Sequence, residues 1–278
     1  MNINKRNLFL MVLTILGVFT ITSCTSSEEG GEIIIDIGGE QSACIDGAQL
    51  LFDEGFESGT FDLKVDGNDP VVVQLENAPE GNFVMKSQLS SETNDTYRTE
   101  ASLNIDELYF EPGKEYWVGL STKIGEDFPL MSSFNDQGML LQWHYKSWLR
   151  PEVQDAQPLV VRYNNGFVRL HCEMVPNDLA LVPATIGEWV DWVIHVKFDN
   201  SDGIFQIWWN GTKVADWTGD NHIIEMIEGA YMKFGLYSAQ YKEGGAVGPL
   251  PQGQTRTVYH DQVRIAGSDG CYDLVAPK

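Results

Sequence analysis

The sequence Tyr-Met-Lys-Phe-Gly-Leu-Tyr at positions 231 to 237 has the clearest strand pattern in the chain. Side chains of a β-strand alternate between the two faces of a sheet, so the second, fourth and sixth residues form an apolar face that belongs to a core. The other face carries Tyr231, Lys233 and Tyr237. Gly235 lies between them and leaves room for something to lie against the sheet. The stretch therefore predicts a strand with one core face and one face that holds a polar ligand.

Two earlier stretches show the same alternation. The sequence Tyr-Arg-Thr-Glu-Ala-Ser places Arg98 and Glu100 on one face of a strand, and Leu-Leu-Gln-Trp-His does the same for Gln142 and His144. Together the three stretches supply guanidinium, amide, imidazole, ammonium and phenol groups. We expect these side chains to project from neighbouring strands into one shared groove.

The rest of the chain also has the pattern of a β-protein. Clusters of Gly, Pro, Asn and Asp recur at short intervals, and the runs between them show almost no period of 3.6 residues. The clearest segment is 188–217, where the even positions from Val190 to Phe198 are apolar and Asn210-Gly211 is a strong hairpin signal. Regularly spaced strands bounded by turn residues predict an all-β sandwich or barrel.

Length and charge limit the classes of function. With 278 residues and no internal repeat or interior linker, the chain is expected to form one large all-β domain. Its formal net charge of -22 excludes a generic polyanion-binding surface of the kind that binds nucleic acid. An acidic ligand must therefore be attracted by a local cluster of cations such as Arg98, Lys233 and Lys146, and salt should help by screening the long-range repulsion.

The N-terminus has the features of an export signal. Lys5 and Arg6 precede an apolar run at 8–21, which is short for a membrane span and typical of a secretory signal. The run ends in Ile-Thr-Ser-Cys, which resembles a bacterial lipoprotein signal with Cys24 as the lipidated residue. We expect a signal peptide at 1–23 and an anchored outer membrane lipoprotein, at the cell surface or periplasmic face of a Gram-negative bacterium. An ordinary signal peptide with an incidental cysteine remains the alternative.

The remaining cysteines bear on the domain boundaries. Residues 24–43 are rich in Ser, Glu and Gly and predict a flexible tether, so the globular domain is expected at 44–278. Cys172 is in phase with apolar neighbours and fits a buried position. Cys44 and Cys271 bracket the domain and are able to pair in an exported protein, although the sequence leaves that pairing open.

The three alternating stretches resemble the motifs of jelly-roll polysaccharide lyases, namely Arg-Ser/Thr-Glu-Leu, Gln-x-His and Tyr-x-Lys-x-Gly-x-Tyr in that order, most explicitly those of family-7-type alginate lyases. The segment 187–217 and the ending Val-Tyr-His-Asp-Gln-Val-Arg-Ile at 258–265 are more similar to the group containing heparin lyase I and glucuronan lyase. The resemblance spans roughly 51–265. It implies a β-jelly-roll sandwich of two antiparallel sheets, concanavalin A-like, with a concave substrate groove.

The resemblance also implies a reaction, the β-elimination of a uronic acid-containing polysaccharide that leaves an unsaturated uronate end. Arg98 and Gln142 suit the substrate carboxylate, because both present N–H donors to the charge that develops there. Tyr237 would protonate the leaving oxygen. Either Tyr237 or His144 would remove the carbon-bound proton, depending on substrate stereochemistry.

Four further residues are expected at the substrate. Lys233, Tyr231 and Lys146 are candidates for binding it, and Glu100 is grouped with them although it is expected to orient Arg98. Lys233 and Arg98 would supply the positive charge that a tyrosine base needs.

The identity of the polymer stays open. Ser102 stands where alginate lyases have a second arginine, and Ser-Ala-Gln at 238–240 replaces their Asn-Gln. Glucuronan, alginate, ulvan and glycosaminoglycan-like chains are all candidates. A non-catalytic surface glycan-binding lipoprotein is the main alternative function, since the chain has 8 Trp and 10 Tyr that suit sugar stacking. A hydrolase is disfavoured, because no Glu-x-Asp-x-x-Glu strand motif is found.

No cofactor is expected, and the protein is expected to be a monomer whose partners are its polysaccharide and, through the lipid anchor only, the membrane. A structural calcium ion stays open, because Asp53, Glu54 and Asp261 lie near the ends of the domain. No loop has the ligand spacing of an EF-hand, and no metal site is assigned.

Overall fold

A computed structural model describes ten segments of the chain, and all of them belong to one compact unit within Gly31–Lys278. The segments are residues 43–60, 62–92, 97–103, 108–128, 138–145, 157–164, 166–222, 229–242, 244–245 and 248–278. The expected signal peptide, Cys24 and most of the tether lie outside the described residues. None of the helices in these segments is long and apolar enough to cross a membrane.

Almost every regular element in the described residues is a strand. The strands are β1 (Leu50–Glu54), β2 (Lys64–Gly67), β3 (Val71–Gln74), β4 (Phe83–Ser90), β5 (Arg98–Ser102), β6 (Glu115–Ile124), β7 (Gly138–Tyr145), β8 (Leu159–Asn164), β9 (Phe167–His171), β10 (Ala180–Pro183), β11 (Trp189–Lys197), β12 (Gly203–Trp209), β13 (Thr212–Gly219), β14 (Ala230–Tyr237) and β15 (Thr255–Ala266). A 3-10 helix (Ala239–Tyr241) and a helix α1 (Tyr272–Val275) complete the set.

The strands form two antiparallel sheets. Sheet A has the order β13-β12-β11-β6-β15-β4-β3, with β1 paired to the second half of β15. Sheet B has the order β10-β9-β8-β7-β14-β5-β2. Consecutive sheet neighbours are often distant in sequence, as expected of a jelly roll. The expectation of an all-β sandwich of two antiparallel sheets is therefore confirmed.

The clearest sequence segment folds as its pattern predicts. The apolar positions of β11 and the following Phe198 lie in the main core between the sheets. Asn210 and Gly211 both have positive φ, at 46° and 78°, which is the conformation of a two-residue hairpin turn that joins β12 to β13.

β14 is an interior strand of sheet B, between β7 and β5, and its apolar face lies in the core. Met232, Phe234 and Leu236 are fully buried and belong to the main core cluster. Complete burial of such side chains contributes roughly 1.5–3 kcal/mol each. This packing fixes the register of β14 and therefore which of its residues point away from sheet A.

Gly235 interrupts the regular pairing of β14. The register with β7 shifts between Phe234 and Tyr237, and Gly235 has a φ of 142°. A β-carbon there would lie 2.4 Å from the carbonyl oxygen of Thr99 on β5 and 3.0 Å from Oγ of Ser87 on β4. The expectation that this glycine makes room for a ligand is wrong, because the space it leaves is filled by neighbouring strands.

The two ends of the domain meet at sheet A. Cys44 and Cys271 form a disulfide with a Cα–Cα distance of 4.8 Å. The disulfide precedes α1, whose Val275 packs with Trp117 and Trp208 in a second, smaller cluster on the outer face of sheet A. Cys172 is buried and unpaired with other cysteines, and burial raises the pKa of its thiol to about 12.

We predict that Gly235→Ala destabilises the domain strongly, because the new methyl group meets backbone that cannot move without disrupting β5. The expected loss is about 3 kcal/mol or more in the free energy of unfolding, measured by urea denaturation. Gly166→Ala is the matched control: its φ is also positive, at 85°, but no atom lies within 4 Å of the added β-carbon. It should cost only about 1–2 kcal/mol, and equal losses in both variants would contradict the role of Gly235 in strand packing.

Candidate active site

Strand pairing places the described candidate residues on one face of sheet B, the face turned away from sheet A. In β14, Tyr237 pairs with Arg98 of β5, Lys233 pairs with Gln142 of β7, and Tyr231 pairs with His144. The residues that alternate with them lie in the core. We call this surface the site face. Lys146 lies outside the described residues.

Arg98 and Tyr237 form the first contact of the site face. The guanidinium carbon of Arg98 lies 4.3 Å from the centroid of the Tyr237 ring, within cation–π range. Nε of Arg98 is 3.5 Å from Oε2 of Glu100, and the Arg98 side chain keeps 28% of its surface exposed. Arg98 therefore presents a fixed cation at the phenol, supported from below by a carboxylate.

Glu100 lies beneath the exposed residues and is only 1% exposed. Its Oε1 accepts a hydrogen bond of 2.6 Å from Nε2 of Gln142. Burial raises the pKa of the Glu100 carboxyl, while Lys233, Arg98 and the bond from Gln142 oppose that shift. Glu100 therefore holds other site residues in place, in agreement with its expected role in orienting Arg98, and presents almost no surface to a ligand.

The amide of Gln142 is held from both sides. Besides donating to Glu100, it accepts a 2.7 Å hydrogen bond at Oε1 from Nε2 of Gln157. Gln157 in turn accepts a longer bond, 3.4 Å, from Arg162 of β8. These contacts orient the Gln142 amide so that Nε2 faces Glu100. Gln142 is itself only 1% exposed, so its second N–H lies just beneath the surface of the site face.

Lys233 is also an internal residue of the site. It is 4% exposed, and its Nζ lies 2.8 Å from Oδ2 of Asp66 on β2. Burial acts to raise the pKa of the Asp66 carboxyl, but the hydrogen bond and charge of Lys233 outweigh it, so the net pKa is lowered. Arg98 and Lys233 are thus balanced by Glu100 and Asp66, and the excess positive charge expected from the sequence is largely compensated.

His144 lies at the other end of the site face, against Tyr231, with ring centroids 5.7 Å apart. Its Nδ1 donates to the backbone carbonyl of Tyr145 at 2.7 Å. Because a carbonyl only accepts, this bond places the proton of the neutral ring on Nδ1 and makes Nε2 the basic nitrogen.

The two candidate proton carriers are not adjacent. Tyr237 pairs with Met139, five residues before His144 on β7, which corresponds to about 16 Å of strand. Tyr231 is 4% exposed, and burial raises the pKa of its phenol, with Asp66 and Glu100 adding to the shift. Of the two tyrosines, Tyr237 is therefore the more exposed and the better suited to exchange a proton.

Four residues of the site were missed by sequence reasoning. Asp66 begins the turn-like sequence Asp-Gly-Asn-Asp-Pro at 66–70 but lies in β2, paired with Glu100. Arg162 interrupts the apolar run of β8, a signal that was available. Gln157 and His260 gave no signal. His260 is fully buried and donates from Nε2 to the carbonyl of Gly235, and burial lowers its pKa to about 4, so it supports the irregular part of β14 as a neutral ring.

The site face continues across β8 and β9. Arg162 pairs with Arg169 and lies on the same face as Gln142. Arg169 and His171 both contact Asp178, at 2.6 Å and 3.1 Å. These contacts join Arg169, His171 and Asp178 into one cluster on the site face.

The three carboxylates named from the sequence as possible calcium ligands all have protein partners. Asp53 contacts Arg264 at 3.3 Å, Glu54 accepts from the backbone N–H of Phe56 at 2.6 Å, and both oxygens of the buried Asp261 accept backbone N–H groups. Across the described segments, no group of three or more His, Cys, Asp or Glu residues has a metal-binding arrangement. In this arrangement each of the three carboxylates has a hydrogen-bond or ion-pair partner, and no metal ion is assigned to them.

Comparisons with solved structures identify the fold. An endo-β-1,4-glucuronan lyase from the fungus Trichoderma reesei aligns with a TM-score of 0.63 and 17% identity, over 83% of this chain and 99% of that chain. An alginate lyase of polysaccharide lyase family 7 aligns with a TM-score of 0.47 and 12% identity, over 66% and 78% of the two chains. A second alginate lyase gives a TM-score of 0.45 and 13% identity, over 70% and 85%.

Sequence comparison gives the family. No curated protein sequence matches the chain at a significant level. The family model described as polysaccharide lyase matches residues 56–264, which is most of the chain and includes every described residue of the site face named above. The chain belongs to the polysaccharide lyase family.

Proposed function

We propose that this polysaccharide lyase cleaves a uronic acid-containing polysaccharide by β-elimination on the site face of sheet B. The observation that carries the proposal is the contact of Arg98 with Tyr237, since it sets a fixed cation against a phenol at an accessible part of the face. The neighbouring Gln142 adds an oriented amide donor. These are the groups that an elimination beside a carboxylate needs.

The substrate carboxylate is the main obstacle to the reaction, because its charge opposes removal of the proton on the adjacent carbon. Donors that hold the negative charge developing on this group lower the barrier, typically by about a hundred- to a thousand-fold each. Arg98 is able to bind a carboxylate with two parallel N–H groups. Gln142 donates its second N–H, while Glu100 and Gln157 keep its amide oriented.

Tyr237 is assigned both proton transfers. As phenolate it removes the C5 proton, the electrons form the C4–C5 double bond, and the glycosidic oxygen on C4 leaves with the proton that Tyr237 returns. The separation of His144 from Tyr237 along β7 favours this assignment, and His144 would bind an adjacent sugar of the chain. Arg98 keeps a cation beside the Tyr237 ring during both transfers.

A single acid–base group has a stereochemical consequence. The C5 proton and the C4 oxygen must lie on the same face of the sugar ring, which holds for D-glucuronate and D-mannuronate and not for L-guluronate. Because the glucuronan lyase aligns over most of the chain, glucuronan stands first among the candidate polymers. Alginate, ulvan and glycosaminoglycan-like chains complete the panel.

We predict that the protein generates an ultraviolet-absorbing unsaturated uronate from one of these polymers, and that Tyr237→Phe lowers turnover by about a hundred- to ten-thousand-fold. The variant should stay folded and bind the polymer, since only one hydroxyl is lost. Tyr231→Phe removes a hydroxyl from the buried tyrosine of the same strand and should keep turnover within about tenfold of the wild type. Full activity of Tyr237→Phe would show that another group transfers the proton.

We predict that Arg98→Lys lowers kcat by about a hundred- to a thousand-fold, because a lysine keeps the charge but loses the paired N–H geometry. Arg169→Lys is the matched control, since Arg169 lies on the same face but is bound to Asp178. Its effect should appear in KM and leave kcat close to that of the wild type. A similar loss of kcat in both variants would contradict the specific role of Arg98.

We also propose that the lyase is anchored to the outer membrane through Cys24. The support is the apolar run at 8–21 followed by Ile-Thr-Ser-Cys and a polar segment. Cys24→Ser should move the protein from the membrane fraction to the soluble fraction of bacteria that express it, as measured by immunoblotting. An unchanged distribution would rule out the lipid anchor.

A further inference from the structure

The outer face of sheet A carries a row of cations and aromatic rings on the opposite side of the sandwich from the site face. Tyr259 of β15 pairs with Lys86 of β4 on one side and with Lys123 of β6 on the other. Lys123 in turn pairs with Trp189 of β11. The residues that alternate with these four, such as Val258, point into the core. We call Lys86, Tyr259, Lys123 and Trp189 the outer row.

The two lysines of the outer row lack the carboxylate contacts that four other lysines of the described residues make. Lys114, Lys197, Lys213 and Lys233 each lie within 2.9 Å of a carboxylate oxygen. Lys86 and Lys123 form no ion pair with any described residue. In a chain with a net charge of -22, two neighbouring cations without a carboxylate partner form a local site for an anion.

The aromatic residues of the outer row lie between and beside these cations. Nζ of Lys123 is 6.0 Å from the centroid of the Tyr259 ring, and the Tyr259 and Trp189 rings are 6.5 Å apart at an angle of 58°. All four residues are half-buried. Strand spacing puts the backbones of Lys86 and Lys123 about 10 Å apart. The row therefore combines charges at a regular spacing with ring surfaces on which the apolar faces of sugars can pack.

A cavity of about 250 Å³ adjoins Tyr259 and Lys123. Gln88, Thr257 and Asp127 line it, and Thr257 accepts a hydrogen bond from Gln88 while donating to Asp127. The volume is below the roughly 300–1,000 Å³ of complete small-molecule pockets, so the cavity suits one sugar unit of a longer chain. Its carboxylates, Asp127 and Glu126, suit sugar hydroxyls, whereas the lysines suit sugar carboxylates.

We propose that the outer row is a second, non-catalytic binding surface for the uronic acid polysaccharide, which holds a distant part of the same polymer while the site face cleaves. The identity of the ligand rests on the proposed function. The presence of a binding surface rests only on the residues and contacts of the outer row. Lysines alternating with rings match a chain that alternates carboxylates with apolar ring faces.

The test is affinity electrophoresis through native gels that contain glucuronan, alginate or, as the neutral control, hydroxyethyl cellulose. All proteins carry Tyr237→Phe so that the embedded polymer is not cut. Adding Lys86→Gln and Lys123→Gln should weaken retention by the acidic polymer about three- to tenfold. Lys114→Gln is the matched control, because Lys114 precedes β6 and Lys123 lies near the end of that strand, about 30 Å away.

A second readout separates the outer row from the site face. The double variant Lys86→Gln/Lys123→Gln is also made with Tyr237 intact. It should turn over short oligosaccharides at the wild-type rate but turn over the long polymer more slowly than the wild type when the polymer concentration is low. Retention equal to that of the Lys114→Gln control, or equal losses on short and long substrates, would overturn the proposal. If an acidic polymer is retained through the outer row but no polymer yields the ultraviolet signal, the proposed reaction fails and the binding surface stands.

Discussion

The site depends on one buried carboxylate. Glu100 has almost no contact with solvent, and a buried charge is costly unless charged or hydrogen-bonded partners surround it. Its partners are Arg98 on the accessible side and Gln142 on the neighbouring strand. The carboxylate therefore ties two strands that flank β14 and sets the positions of two groups proposed to stabilise the reacting carboxylate. Removing it would leave two donors without a fixed orientation.

The charge balance beneath the site face follows from the same constraint on buried charges. Asp66 neutralises Lys233 as Glu100 neutralises Arg98, so the buried layer carries little net charge while Arg98 remains partly exposed. A substrate carboxylate would thus meet an oriented guanidinium rather than a diffuse positive field. This arrangement is consistent with a protein whose overall charge of -22 repels acidic polymers at long range, since attraction then acts only at short distance.

The two outward faces of the sandwich differ in chemistry because packing in the core fixes which side chains of each sheet point outward. Packing of Met232, Phe234 and Leu236 turns the polar half of β14 away from sheet A. The same alternation in β15 buries Val258 and turns Tyr259 outward between two lysines. A polymer many sugars long is able to contact both faces, whereas a short oligosaccharide occupies one. A lyase with two such faces would remain associated with its polymer between cleavages.

Local sequence patterns are enough to predict the strand alternation, the all-β class and the common face of Gln142 and His144 within their strand, because these depend on a period of two and on turn residues that act locally. Which strands are neighbours, and in what register, follows from the folded structure alone. It placed His144 beside Tyr231 rather than Tyr237, brought Asp66 from an apparent turn to Lys233, and showed that Gly235 makes room for β5. These contacts join residues that are distant in the chain. They are therefore fixed by the pairing and packing of the sheets, and a local sequence pattern does not reveal them.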